Sequence, residues 1–103
     1  MKTISLIGST GSIGQQVCSV VRRYPNQFKI ESLVAHSSAE AFLRQVHEFK
    51  PKYAVLVDEK AGEKIKSQIP QGVTFACGEK SAIDAVHYGD VAFISATGFA
   101  GLK

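Results

Sequence analysis

Short apolar runs alternate with amphipathic stretches along the whole chain. Five runs have the length and composition of strands: TISLI (3–7), KIESLVA (29–35), YAVLV (53–57), the weaker VTFAC (73–77) and DVAFISA (90–96). Strands that alternate with helices predict an α/β fold built on a doubly wound parallel sheet, with helices on both faces. We expect the strand order 4-3-2-1-5. In that order a reversal between strands 1 and 5 opens a ligand crevice at their carboxyl ends.

Apolar residues at helical spacing predict the helices between these runs. The first helix carries an apolar stripe that consists of Ile13, Val17, Val20, Val21 and Tyr24. Arg22 and Arg23 lie in its last turn, where positive charge suits the helix dipole, and Pro25 ends it. The second helix is predicted over residues 37–50, with Pro51 after it. Its stripe consists of Phe42, Leu43, Val46 and Phe49.

Capping signals mark the starts of two helices. Ser37 and Glu40 have the spacing of a capping box at the start of the second helix. Asp58 is placed to cap a shorter third helix. The apolar positions expected to face inward are Ile65 and Ile69 for the third helix, and Ala82, Ile83 and Val86 for a fourth helix over residues 79–88.

The glycine loop GSTGSIG lies between the first strand and the first helix. We expect Gly8 in a tight turn with positive φ, Gly11 where backbone approaches a pyrophosphate, and Gly14 where the helix packs closely on the strand. Free N–H groups at the helix start, with the hydroxyls of Thr10 and Ser12, would bind the anion. A loop that serves only as a tight turn is the alternative.

The tip of the second strand indicates which dinucleotide would bind. NAD sites usually place Asp or Glu there to accept from the ribose 2′-OH. This tip reads His36, Ser37 and Ser38, while Glu31 lies within the strand and Glu40 within the next helix. Two hydroxyls, the amides of a helix start and an imidazole suit a 2′-phosphate, which favours NADP over NAD. Ser37 as a plain helix cap and His36 as an exposed loop residue are the alternatives.

Composition and charge narrow the classes of partner. The 103 residues are 45% hydrophobic and 20% charged, with a formal net charge of +3. The basic residues are scattered and not interleaved with aromatic residues, so we expect a solvated surface and no nucleic-acid partner. No apolar run approaches the roughly 18 residues of a membrane span. The stretch before the glycine loop is too short for a signal peptide, so we expect a cytoplasmic protein with no membrane partner.

Groups that could carry catalysis are sparse. Cys18 and Cys77 form neither a disulfide framework nor a CxxC pair and are expected to be neutral thiols. His47 and His87 lie in helical patterns, and no cluster of His, Cys, Asp and Glu has metal-ligand spacing. The sequence therefore predicts no catalytic residue and no metal site within these residues.

Three segments resemble one enzyme family. They are LIGSTGSIGQQVCSVVRRYPNQFKIESLVAHSS, EFKPKYAVLVDE and FISATGFAGLK, and they are similar to the N-terminal part of 1-deoxy-D-xylulose 5-phosphate reductoisomerases. The specific part is the unbroken GSTGSIG, with VVR before Pro25 and Phe28. The resemblance covers all 103 residues but only about the first quarter of the family's usual chain.

The resemblance implies that residues 1–103 form a Rossmann-like NADPH-binding domain, cut short at its C-terminal end, without the family's catalytic and C-terminal domains. It implies an enzyme that isomerises and reduces 1-deoxy-D-xylulose 5-phosphate to 2-C-methyl-D-erythritol 4-phosphate in non-mevalonate isoprenoid biosynthesis. The family's cofactor contacts correspond to Thr10, Gly11, Ser12 and Ile13, and to the tip at His36, Ser37 and Ser38.

The resemblance also places part of the enzyme elsewhere. The GFAG segment (98–101) is similar to the one that passes near the nicotinamide. The ligands of the divalent metal, Mg²⁺ or Mn²⁺, and the residues that bind the sugar phosphate would lie beyond Lys103. We therefore expect the 103 residues alone to be inactive, and the whole enzyme to be a homodimer that acts on a phosphorylated sugar.

The sequence departs from the family at the strand-2 tip, where the family often has Gly, then Lys or Arg, then Asn. The usual cation is missing from His36, Ser37 and Ser38. Two other functions stay open. One is a different NADP-dependent oxidoreductase of the extended reductase type, which would need a Tyr-x-x-x-Lys pair that this chain lacks. The other is a stand-alone dinucleotide-sensing module.

Overall fold

Strands and helices alternate in the computed structural model, which describes residues 2–9 and 11–94, with residues 12, 13, 93 and 94 described by their backbone. The elements are β1 (Lys2–Ile7), α1 (Ser12–Arg23), β2 (Phe28–Ala35), α2 (Ala39–Phe49), β3 (Tyr53–Leu56), α3 (Glu59–Ile65), β4 (Thr74–Cys77), α4 (Glu79–Ala85) and β5 (Val91–Ile94). Single 3₁₀ turns extend α3 over Lys66–Gln68 and α4 over Val86–Tyr88. None of the helices described is long and apolar enough to cross a bilayer.

The strands form one sheet with the order β4-β3-β2-β1-β5. Every pairing between neighbouring strands is parallel. The predicted doubly wound sheet and its strand order are therefore confirmed. Because the chain leaves β1 towards β2 and returns from α4 to β5 on the other side, the carboxyl end of β1 lies at the reversal of strand order, where such sheets bind ligands.

The sheet carries an apolar core on each face. On one face α1, α2 and α3 contribute Cys18, Val21, Phe42, Val46 and Ile65 to a cluster with strand residues such as Leu6 and Leu33. On the other face Ala82 and Ala85 of α4 pack against Ile7, Val34, Tyr53 and Val55. β3 is buried along its whole length because helices cover both of its faces.

A β-bulge interrupts β2 at Glu31. Ile4 pairs with Ile30, but the next residue of β1, Ser5, pairs with Ser32, so Glu31 is one extra residue in the strand. The bulge lets Ile30 and Leu33, three residues apart, belong to the same core cluster. Glu31 is buried, and its carboxylate lies 3.6 Å from the Nζ atoms of both Lys29 and Lys52.

Three predicted core positions are wrong. Val20 and Tyr24 in and after α1 are 46% and 44% exposed, and Ile83 in α4 is 45% exposed. A helix turns about 100° per residue, so only one stripe can face the sheet. In α1 that stripe runs through the buried Cys18 and Val21, and in α4 the small residues Ala82 and Ala85 contact the sheet and leave Ile83 outside.

An ion pair joins the ends of α1 and α2. Nη2 of Arg22 donates to Oε1 of Glu48 at 2.8 Å, and its Nε donates to Oε2. The guanidinium also lies over the ring of Phe49, 5.4 Å from its centroid. The hydrogen bond from Arg22 lowers the pKa of the Glu48 carboxyl below its ordinary value. Both side chains are about half exposed, so solvent screens much of the attraction.

Polar side chains of the central strands hold the segment that leads into β5. The Ser5 hydroxyl accepts from the Gly89 amide at 2.8 Å, and the Ser32 hydroxyl donates to the Ala85 carbonyl at 2.9 Å. A Cβ atom at Gly89 would lie 2.7 Å from the backbone of Ile4 and Ser5. Glycine is therefore required for this segment to reach β1.

Replacing Glu48 should test the ion pair through its pH dependence. A carboxyl whose pKa is lowered on folding stabilises the fold above its unfolded pKa, near 4.3, and loses that contribution as the pH falls through the folded value. Glu48→Gln should reduce the free energy of unfolding by up to about 1 kcal/mol at pH 7, and the deficit should shrink as the pH falls below the ordinary range of a carboxyl. Urea unfolding at several pH values measures it. Glu63→Gln, at an exposed site on α3, is the control, and a deficit for Glu48→Gln that does not shrink between neutral and acidic pH would contradict the assignment.

Candidate anion and dinucleotide site

The glycine loop folds back tightly on the end of β2. Gly8 has a φ of 86°, which confirms the predicted left-handed turn. The amides of Gly8 and Ser9 both donate to the Val34 carbonyl, at 2.7 and 2.9 Å. The Gly11 amide donates to the Gly8 carbonyl at 3.1 Å and closes the turn. These bonds place the loop at the carboxyl edge of the sheet, between β1 and β2.

The loop leads directly into the first turn of α1. Gly11 is the N-cap residue, with a φ of −78° and a ψ of 176°, and its carbonyl accepts from the Gln15 amide at 2.9 Å. The amides of Ser12, Ile13 and Gly14 precede this bond and have no acceptor within the helix. They stand at the positive end of the helix dipole, the usual place for a bound phosphate or carboxylate. α1 carries no acidic residue in its first turn that would compete for this position.

Part of the predicted site lies outside the residues that the structure describes. Thr10 and the GFAG segment (98–101) are not among the described residues. The hydrogen bonds expected from the hydroxyls of Thr10 and Ser12 therefore stay predictions. What the structure places at the site is the backbone of Gly11, Ser12 and Ile13.

Gly14 allows α1 to start directly on the loop. A Cβ atom at this position would lie 2.3 Å from the Gly8 carbonyl oxygen and 2.7 Å from the carbonyl carbon of Ser9. We expected Gly14 to bring the helix close to the strand, and the structure shows that its close contact is with the loop itself. The third glycine therefore fixes the distance between the helix start and the loop.

His36, Ser37 and Ser38 form the turn between β2 and α2, and all three are exposed. Their backbone is anchored on both sides: the His36 carbonyl accepts from the Asp58 amide at 2.8 Å, and the Ser37 carbonyl accepts from the Ala39 amide at 2.8 Å. Because Val34 binds the glycine loop and β2 ends one residue later, the loop and this turn are neighbours on the same edge. The structure thus brings together the two parts of the predicted site.

The predicted capping box at Ser37 and Glu40 is wrong. The N-cap residue of α2 is Ser38, and its side chain makes no capping hydrogen bond. The ψ of Ser38 is 73°, well short of the extended backbone from which a hydroxyl reaches the helix amides. The tight turn from Ser37 to Ala39 causes this departure. Ser38 consequently keeps its hydroxyl for other partners.

Acidic side chains lie in the elements that border this edge. Glu31 is buried within β2 beside Lys29 and Lys52. Glu40 follows Ser38 by two residues, in the first turn of α2, and its exposed side chain forms an i,i+4 pair with Arg44 at 3.7 Å. Asp58 also lies beside the tip, because its amide donates to the His36 carbonyl, and this neighbourhood was not apparent from the sequence. Its Oδ1 accepts from the amides of Lys60 and Ala61 at 2.9 and 3.3 Å, which confirms it as the cap of α3. Residues 36–38 at the tip of β2 themselves contribute hydroxyl, imidazole and amide groups and no carboxylate.

Groups that could act as nucleophiles or metal ligands are not gathered here. Burial raises the pKa of the Cys18 thiol to about 11, and it also raises the pKa of Cys77. His47 is occupied at the surface, with Nε2 3.0 Å from the Gln68 carbonyl. Within residues 2–9 and 11–94 no three His, Cys, Asp or Glu side chains could hold a metal ion together. The described edge instead presents backbone amides, hydroxyls and an imidazole.

One residue at the site escaped the sequence analysis. Gln45 of α2 is buried, and its Nε2 donates to the Ser9 carbonyl at 2.7 Å. The sequence offers only a weak signal for it. A glutamine beside the apolar positions Phe42 and Val46 looks like the polar edge of an amphipathic helix, and its long-range partner is visible only in the fold.

Comparison with known proteins places this geometry in a family. The family model for 1-deoxy-D-xylulose 5-phosphate reductoisomerase matches residues 4–103. Reductoisomerases of that name from Anaeromyxobacter sp. (strain K), Nostoc punctiforme and Proteus mirabilis are 35%, 39% and 40% identical, and the alignments cover 98–100% of this chain. They cover 26–27% of those relatives, so the chain spans about a quarter of their length.

Solved structures share the fold. The reductoisomerase from Zymomonas mobilis in complex with NADPH superimposes with a TM-score of 0.76 at 22% identity, over 82% of this chain and 22% of that one. A DOX-P reductoisomerase in complex with NADPH, fosmidomycin and magnesium gives a TM-score of 0.72, also at 22% identity, over 82% and 21% of the two chains. At this identity the likeness shows a common fold.

Replacing Gly14 should disturb the loop and the start of α1 together. The added methyl of Gly14→Ala would collide with the backbone of Gly8 and Ser9, which cannot rotate away as a side chain could. We expect a loss of about 1–3 kcal/mol in the free energy of unfolding, although alanine favours a helix by up to about 1 kcal/mol over glycine. Urea unfolding measures it, with Ser19→Ala on the exposed side of α1 as the control. A Gly14→Ala chain as stable as the wild type would show that the contact is not tight.

Proposed function

The chain belongs to the 1-deoxy-D-xylulose 5-phosphate reductoisomerase family, and on that premise we propose that residues 1–103 form its NADPH-binding domain. The whole enzyme would convert 1-deoxy-D-xylulose 5-phosphate to 2-C-methyl-D-erythritol 4-phosphate in non-mevalonate isoprenoid biosynthesis. The observation that carries the proposal is the glycine loop, which directs the first amides of α1 to the reversal of strand order, beside a strand tip whose own residues, 36–38, include no acid.

The loop would bind the pyrophosphate. Gly11 is exposed and has no side chain, so a phosphate can approach its backbone. The amides of Ser12 and Ile13 would donate to the phosphate oxygens, and the Thr10 and Ser12 hydroxyls would add to them. Hydrogen bonds to a charged group contribute roughly 1.5–3 kcal/mol each, so two or three such bonds suffice for a firm anchor.

The tip of β2 would bind the 2′-phosphate that distinguishes NADPH from NADH. Ser37 and Ser38 are exposed at the start of α2, and the Ser38 hydroxyl makes no capping bond. His36 would add positive charge when protonated. Of the acids nearby, Glu31 is paired with two lysines, Glu40 forms an i,i+4 pair with Arg44, and Asp58 caps α3, so none of them occupies the tip itself.

This chain would supply binding and orientation, and the remainder of the enzyme would supply the rest. NADPH provides the hydride when it is bound. The described residues contain no donor set for a divalent metal, and we assign them no step that involves one. A phosphorylated sugar substrate and a homodimeric whole enzyme, both implied by the family resemblance, and a cytoplasmic location, expected from the sequence, stay part of the proposal.

A larger side chain at Gly11 should remove dinucleotide binding and spare the fold. The φ and ψ of Gly11 are allowed for valine, so Gly11→Val adds bulk without backbone strain. Two methyl groups would then occupy the approach to the helix amides. We expect the affinity for NADPH to fall by at least about a hundredfold, which corresponds to about 2.8 kcal/mol. Calorimetric titration measures it, with Ser19→Val on α1 as the control. Unchanged affinity in a folded Gly11→Val chain would exclude the loop from the site.

The tip of β2 should determine the choice of cofactor. We expect the wild type to bind NADPH tens-fold or more tightly than NADH, because one or two charge-assisted bonds and a helix dipole favour the 2′-phosphate. Ser37→Asp should reverse this order, since a carboxylate repels the phosphate but accepts from a ribose 2′-OH. Ser67→Asp makes the same change of charge at a distant exposed site and should leave the order intact. Equal affinities of the wild type for both cofactors would refute the proposal for the tip.

A further inference from the structure

Gln45 connects α2 to the glycine loop. The residue is 8% exposed, and its Nε2 lies 2.7 Å from the Ser9 carbonyl oxygen and 3.7 Å from Sγ of Cys18. A carbonyl oxygen can only accept, so the group that faces Ser9 must be the NH₂ end of the amide. The contact therefore has one chemically possible orientation.

The bond completes a clamp on both sides of Ser9. The Ser9 amide donates to Val34 in β2, and the Ser9 carbonyl accepts from Gln45 in α2. The carbonyl oxygen is consequently directed into the protein. An oxygen directed outwards at this point would repel a phosphate, whereas the inward orientation leaves amide groups to face the ligand.

Stability alone does not account for Gln45. Among the residues that the structure describes, Oε1 of Gln45 and Oγ of Ser9 are buried without a hydrogen-bond partner. A buried polar group that satisfies only part of its bonding capacity contributes little net stability, and an apolar side chain of similar volume would remove the unsatisfied oxygen. The bonding capacity that Gln45 does use includes the hydrogen bond from its Nε2 to the Ser9 carbonyl of the loop.

We propose that Gln45 is a positioning residue that holds the glycine loop in its anion-binding conformation by fixing the Ser9 carbonyl. The inference rests on the proposed function, because it concerns the loop that would bind the pyrophosphate. Gln45 does not touch the ligand in this proposal. It acts through Ser9, and through α2 it also joins the loop to the helix that starts at the 2′-phosphate corner.

The first test replaces the amide by an apolar group. Gln45→Leu should lower the affinity for NADPH about tenfold or more, because the loop can then turn its carbonyl outwards. NADH should lose affinity by the same factor, since both cofactors share the pyrophosphate. Ile65→Val, a core change on α3 away from the loop, should reduce stability without changing either affinity. Calorimetric titration gives the affinities, and urea unfolding gives the stabilities.

The second test uses a group that can be switched. Gln45→Glu keeps the shape of the side chain, but an ionised carboxylate repels the Ser9 carbonyl and a protonated carboxyl can donate to it. Burial should place the titration of such a carboxyl above the ordinary range. Relative to the wild type at each pH, the Gln45→Glu chain should bind NADP⁺ weakly at pH 8 and recover at pH 6, and Gln45→Leu should show no recovery.

The outcomes separate the two ideas. If the wild type binds neither cofactor, the proposed function fails, and the inference about Gln45 fails with it. If the wild type binds NADPH and folded Gln45→Leu binds equally well, the inference fails while the function stands. A Gln45→Glu chain without relative recovery at pH 6 also overturns the inference. A loss for Gln45→Leu that is shared by both cofactors, with recovery for Gln45→Glu, supports it.

Discussion

The site depends on two hydrogen bonds to the carbonyl oxygen of Val34. This oxygen accepts from the amides of Gly8 and Ser9, and the two bonds fix the loop after β1 to the neighbouring strand. The positive φ of Gly8 and the missing side chain of Gly14 make this geometry possible, because any Cβ at position 14 would meet the loop. A rigid strand thus sets the position of the loop, and the loop sets where α1 begins. The direction of the first amides of α1 follows from these two constraints.

The electrostatic potential at this edge depends on which charged side chains are paired elsewhere, as well as on the net charge. The formal net charge is +3, yet Lys29 of β2 and Lys52, just before β3, lie beside the buried Glu31, and Arg22 pairs with Glu48 at the far ends of α1 and α2. Positive potential at the site would come mainly from helix starts and backbone amides. Such partial charges are held by the fold and need no reorganisation when an anion arrives.

The sequence was sufficient for the features that depend on local chemistry. The parallel sheet and its order follow from apolar runs and helical periods, the turn at Gly8 follows from the freedom of glycine, and the cap at Asp58 follows from its carboxylate. The sequence was insufficient for features that depend on tertiary contacts. Ile83 is exposed because small alanines contact the sheet, and the start of α2 lies one residue late because of the turn at Ser37. Gln45 has a partner 36 residues away, which no local pattern can indicate.

The bulge at Glu31 divides β2 into two segments with different side-chain phase. Up to Ile30 the strand follows one alternation, and from Ser32 onwards it follows another, displaced by one residue. The second segment is the one that ends at Val34 and carries the turn at residues 36–38. Removing the extra residue would therefore rotate the functional end of the strand by half a turn relative to its neighbours, a change far larger than the loss of about 3.3 Å in length. A single inserted residue within the strand, Glu31, therefore sets the orientation of the edge at which the strand ends.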